Sequence, residues 1–163
     1  MITGNKGEWS ELYVFLRLLG DGGIYGADEE LNKIKELFYP LIEIQRDNNI
    51  YKNIGDKQII RVFDGRTSKI IIELDVNEFN DNANKLLRRI KNEKSTFNVD
   101  EIERFMEQIK LYTLKASSTD KSDITVILHD VFTAQNRLFK FSIKSQLGSS
   151  STLLNAGKTT NFI

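Results

Sequence analysis

Cysteine is absent from this chain, and proline and histidine occur once each, as Pro40 and His129. Without cysteine there is neither a disulfide framework nor a thiolate zinc site, which is compatible with a reducing cytoplasm. One histidine and no cysteine leave nothing from which to build a Ser-His-Asp or Cys-His constellation. No stretch approaches the roughly 20 apolar residues of a membrane-spanning helix. The opening residues, MITGNKGE, lack the basic and apolar regions of a signal peptide. Net charge is missing too, since 23 Lys and Arg balance 23 Asp and Glu. Proteins that coat nucleic acid non-specifically are usually basic, so neutrality argues against coating but leaves room for a local basic grip. What remains is 163 residues with 40% hydrophobic side chains. That is enough for a single domain that buries roughly 70% of its unfolded surface.

The most informative stretch lies near the end. Residues 123–130 (DITVILHD) and 138–147 (LFKFSIKSQL) each alternate polar and apolar side chains, the period of strands, and predict a hairpin. Ile124, Val126 and Leu128 share the apolar face with Phe139, Phe141 and Ile143. A turn centred near Ala134 would set Asp123 opposite residues 144–146. An acid and a lysine, Lys144, would then share the polar face, flanked by Ser142 and Gln146. An acid that binds Mg²⁺ beside an amine that positions water is an arrangement used for phosphodiester hydrolysis. The competing reading is an ordinary amphipathic hairpin with a solvated face. His129 is six residues from Asp123, roughly 20 Å along a strand at about 3.3 Å per residue, and is expected to be a surface or structural residue.

Upstream, Trp9, Leu12, Phe15, Leu16 and Leu19 form a stripe at helical spacing and predict a helix over residues 7–20. Glu8 projects into the N-terminal end of that stripe, where the helix dipole alone would favour an acid. Glu11 lies on its flank, one turn before Phe15, where a half-buried carboxylate needs a partner or a metal. Apolar spacing predicts a second helix over residues 28–46, kinked or split in two by Pro40, and loop at 47–49 and 53–55. Residues 58–63 and 69–74 read as a second hairpin around an Asp64-Gly65 turn. Helices are expected over 77–92 and 99–112. Arg88, Arg89, Lys91 and Lys94 cluster near the end of the first of these and are candidates for phosphate contacts, although solvated cations at a helix C-terminus are ordinary.

Two stretches carry a resemblance. TGNKGEWSE (residues 3–11) and FSIKSQLG (141–148), the latter continuing to TLLN (152–155) and TNF (160–162), resemble the HpaII type of type II restriction endonuclease, among the PD-(D/E)xK nucleases. The resemblance spans both ends of the chain; residues 45–112 match less and read as an insertion of a hairpin and two helices. It implies a mixed α/β fold, with a central mixed sheet, flanking helices and the catalytic carboxylates on adjacent strands. Carried over residue by residue, Asp123 matches the first acid, Lys144 the lysine, and Glu11, after Lys6-Gly7, the helix glutamate. Ser142 stands where the family pattern usually has Asp or Glu, so either Glu11, or else Glu8, would supply the missing charge, or the site would bind its metal with fewer protein anions.

The implied chemistry is Mg²⁺-dependent cleavage of double-stranded DNA at a short G/C palindrome such as CCGG, by a pair of subunits or successive nicks. Asp123, Glu11 and the backbone carbonyl of Ile143 would bind the ion, Lys144 would position water, and Gln146 would orient water or phosphate. Lys115, Lys121, Asn155, Thr160 and Asn161 are candidates for DNA contact. The family's members are longer than this chain, so a form truncated at its C-terminus is expected. Two alternatives remain open: a structure-selective repair nuclease on the same core, and a non-catalytic nucleic-acid or protein-binding module.

Overall fold

The computed structural model describes residues 1–116, 122–145 and 147. The chain runs α1 (Lys6–Asp21), β1 (Gly23–Ala27), β2 (Lys33–Arg46), β3 (Asn49–Ile54), β4 (Ile59–Asp64), β5 (Ile70–Asp75), α2 (Val76–Asn92), α3 (Asp100–Gln108), β6 (Ile124–Asp130) and β7 (Gln135–Phe141). The strands form one seven-stranded sheet in the order β5-β4-β3-β2-β6-β7, with β1 paired to β2. The expected mixed α/β class holds. Where the resemblance implied a mixed sheet, every strand pairing among the described residues is antiparallel. No helix among the described residues is long and apolar enough to cross a membrane.

α1 is specified at both ends and along one face. Asn5 caps it by accepting the Glu8 N–H, while the Glu8 carboxylate accepts the Asn5 N–H at 2.8 Å, a reciprocal capping box. Gly22 stops it in a left-handed conformation, φ 70°. The predicted stripe of Trp9, Leu12, Phe15, Leu16 and Leu19 is wholly buried, each side chain contributing roughly 1.5–3 kcal/mol of burial. Trp9 stacks on Phe97 and donates its Nε1–H to the Phe97 carbonyl at 3.0 Å. Phe15 meets Tyr51 of β3 edge to face, centroids 4.9 Å apart. These contacts fix α1 against the sheet, and with it the side chains on its flank.

The expected helix over 28–46 is instead the long strand β2. Its apolar residues do fall at helical spacing, but Pro40 removes a helix hydrogen bond, and three neighbouring strands satisfy the backbone instead. β1 pairs with residues 33–40, and β3 and β6 with residues 41–46. Pro40 sits where the partners change, next to an irregularity in the β6 pairing between Leu41 and Glu43, the kind of place a strand tolerates proline. β3 reaches into both stretches expected as loop, 47–49 and 53–55. Asp47 and Asn48 both have positive φ, 50° and 62°, and make the tight β2–β3 turn.

The last hairpin forms with a different register from the one expected. Its turn covers residues 131–134, because the Asp130 carboxylate accepts the Phe132 and Thr133 N–H groups immediately after β6. Asp130 therefore pairs with Gln135 and Ile124 with Phe141. Asp123 consequently falls beside residues 141–143 rather than opposite 144–146.

Candidate active site

The capped, buried α1 carries Glu11 on the flank of its apolar stripe. The capped turn of the β6–β7 hairpin sets Asp123 at the head of β6. The charge of Asp123 reaches Glu11. Glu11 is half-buried, and its pKa is raised from the ordinary 4.5 to about 7, first by loss of water and next by the Asp123 carboxylate. Asp123 is held by the last residue of β7 and by the segment that follows it. Its N–H donates to the Phe141 carbonyl at 2.9 Å, and its Oδ2 accepts the Ile143 N–H at 2.6 Å. Among the described residues there is no cluster of three or more metal-ligating side chains, so any ion here would rest on two protein carboxylates.

Two cations partly offset the repulsion between the acids, and both lower the Glu11 pKa. One is Arg46, at the end of β2. It is 6% exposed, donates Nη2–H to the Thr113 carbonyl at 3.1 Å and lies over the Phe15 ring at 5.8 Å. Its Nε and Nη1 are buried without a hydrogen-bond partner. The other is Lys115, which pairs with Glu8 Oε1 at 2.5 Å. Arg46 was not legible in the sequence because it sat in a segment read as helix. The only available signal was a lone arginine closing an apolar run.

Glu8 is occupied by the capping box and by Lys115, which together hold its carboxyl below the usual range, the Lys115 hydrogen bond being the larger cause. Lys115, expected as a DNA contact, is ion-paired with Glu8 while its side chain stays largely exposed. Ser142 is exposed beside Asp123. Lys144 is exposed and lines a cleft with Lys6, Lys94 and Ile143; neither Glu11 nor Asp123 is part of that lining. Arg89 pairs with Glu93 at 2.8 Å on α2, and Arg88 is exposed there. His129 is bound across the hairpin to Asn136, Nδ1 to Oδ1 2.9 Å. Lys121, Gln146, Asn155, Thr160 and Asn161 lie outside the described residues.

The pair of acids suits a hard divalent cation. Both are oxygen donors, they repel one another, and one is held at a pKa of about 7 that a cation would relieve. Mg²⁺ keeps several waters and needs few protein ligands.

The profile of the HpaII restriction endonuclease family matches residues 5–163. The chain belongs to this family. A curated relative, the type II restriction enzyme HpaII of Haemophilus parainfluenzae, is 38% identical over 167 residues, which cover 98% of this chain and 45% of that enzyme. This HpaII-family chain therefore spans less than half the length of its relative. No solved structure matches it.

Proposed function

We propose that this HpaII-family chain carries the catalytic core of a Mg²⁺-dependent endonuclease that hydrolyses phosphodiester bonds of double-stranded DNA. The observation that carries the reading is the electrostatic coupling of Glu11, from α1, with Asp123, from the head of β6, in a half-buried site. Glu11, Asp123 and the Ile143 carbonyl would hold the ion. When bound, it supplies Lewis-acid polarisation of the phosphate and charge for the developing oxyanion. The chain's own residues do the rest. The Ile143 N–H orients the Asp123 carboxylate, Arg46 and Lys115 limit the repulsion between the acids, and Lys144 positions water and stabilises developing charge. Gln146, two residues beyond Lys144, orients water or phosphate.

The substrate we infer is a short G/C palindrome of the CCGG type. A palindrome is two-fold symmetric, so a pair of subunits would read it, with Lys121, Asn155, Thr160 and Asn161 contributing DNA contacts. A DNA substrate of this kind is met in the cytoplasm. Residues 1–163 act as one nuclease domain in this reading, with 45–112 as its insertion. The second reading is a DNA-binding module without catalysis, favoured by the exposed serine at position 142.

Plasmid digestion with Mg²⁺ tests both, using this chain and a longer family member. Discrete fragments, lost in a chelator and in a folded Lys144→Ala variant, are the expected result. Nicking confined to branched or damaged DNA would make this a repair nuclease. DNA binding without any cutting would leave the binding module. A Lys144→Ala protein that cuts normally would remove Lys144 from the mechanism.

A further inference from the structure

Beside the paired acids lies a cleft of about 470 Å³ that the mechanism above touches only through Lys144. Three lysines from separate parts of the chain converge on it. Lys6 begins α1, Lys94 follows α2, and Lys144 follows β7. Ser95, Thr96 and Ser145 add hydroxyls, and no acidic residue lines it. In a chain whose charges balance overall, three cations without an acid make a local positive field.

The cleft is built for an anion rather than merely basic. Lys6 Nζ donates to the Leu147 carbonyl at 3.0 Å, which anchors the ammonium and leaves it two further donors. Neither Lys94 nor Lys144 has a carboxylate partner among the described residues. Lys6 and Gly7 are first-turn residues, whose N–H groups have no acceptor within the helix. The cleft also adjoins the acids. Ile143, one of its lining residues, is the one that donates to Asp123, and Ser145 bonds Ser10 Oγ at 3.0 Å, one residue before Glu11.

We propose that the cleft between Lys6, Lys94 and Lys144 binds a DNA backbone phosphate next to the one being cleaved. The proposal rests on the nuclease reading above and adds to it the path of the strand, which runs from the acids across the start of α1 toward the turn between α2 and α3. A phosphate held there is recognised by charge and hydrogen bonds alone, so it fixes the register of the strand without reading sequence.

The test is binding without cleavage, with a fluorescent duplex in a chelator and KCl from 50 to 200 mM. Each phosphate contact removed lowers the slope of log affinity against log salt by about 1. Lys6→Ala with Lys94→Ala, which together release that one phosphate, should therefore lower it by about 1, equally for duplexes with and without a CCGG site. Lys6→Arg with Lys94→Arg should restore it. Circular dichroism establishes folding; should the Ala pair not fold, Lys6→Gln with Lys94→Gln takes its place. An unchanged slope in the folded variant, with wild type binding normally, overturns the cleft alone. Wild type that binds neither duplex overturns the nuclease reading with it. Inorganic phosphate should compete with the duplex for the cleft; phosphate that binds the wild type through Lys6 and Lys94 but is not displaced by duplex would make this a free-phosphate site and overturn the DNA assignment.

Discussion

Replacing Glu11 by Gln removes one of two mutually repelling carboxylates while keeping the size and much of the hydrogen-bonding capacity of the side chain. In the folded chain Glu11 binds its proton more tightly than the ordinary carboxylate, about 7 against 4.5, through burial first and Asp123 second. Below pH 4.5 it is protonated in both folded and unfolded states, so nothing is lost. Between pH 4.5 and 7 the unfolded chain releases the proton that the folded chain retains, so wild-type stability falls as pH rises; above 7 the loss is complete. At about 1.4 kcal/mol per pH unit the ceiling is roughly 3 kcal/mol. Glu11 is only half-buried, and solvent screening reduces this to about 1–2 kcal/mol.

Urea unfolding in a chelator measures it. Glu11→Gln should match wild type at pH 4.5 and exceed it by about 1–2 kcal/mol at pH 8, a midpoint shift of roughly 0.5–1 M at a typical urea slope. Mg²⁺ should then raise the stability of wild type at pH 8 more than that of the variant, since an ion that binds only the folded state stabilises by mass action. The same substitution should abolish cleavage. A variant no more stable than wild type at pH 8, or an advantage that is constant from pH 4.5 to 8, would refute the reasoning.

Arg46→Met removes the cation nearest in effect to the acids, so the Glu11 pKa should climb above about 7. A titration of the isotope-labelled Glu11 carboxyl reads this directly, and a value that falls or stays put would mean that Arg46 does not act on the site. Gly23→Ala tests the fold beneath it. A Cβ at Gly23 would press on the Phe38 ring and the Tyr39 carbonyl oxygen, where β1 meets Pro40 of β2. Overpacking of this kind costs about 1–3 kcal/mol, and thermal unfolding should show a Tm lower by roughly 2–10 °C.

The parts of the fold that could be read from the chain are those in which local pattern and tertiary partner agree. α1 has a stripe, a cap and a glycine stop; β4 and β5 flank a turn dipeptide; β6 alternates cleanly. β2 was illegible because its apolar residues fit a helix and its strand state comes from three partners distant in sequence. The register of the last hairpin was missed for a smaller reason. The side chain of Asp130 closes the turn at once, and the extended pattern beyond residue 135 gave no sign of where the turn ends. The site divides in the same way. An acid on the flank of a buried helix and an acid at a strand head are visible in one dimension. The cation that offsets them is not, because Arg46 becomes part of the site only when β2 is a strand and Phe15 lies under its guanidinium.

That cation bears on why a serine stands at position 142. Glu8 is committed to the α1 cap and to Lys115, so Glu11 and Asp123 are the acids left to face each other. A carboxylate at 142, beside Asp123, would put a third negative charge near a pair that already holds Glu11 at about 7. Arg46 is buried and holds the Thr113 carbonyl, so it would have to give up that bond to turn toward it. With Lys115 taken up by Glu8, the two remaining acids face one buried arginine, so the site carries one net negative charge when both acids are ionised. A third acid would demand a further cation, whereas two acids leave room for one divalent ion and the charge of the phosphate it meets.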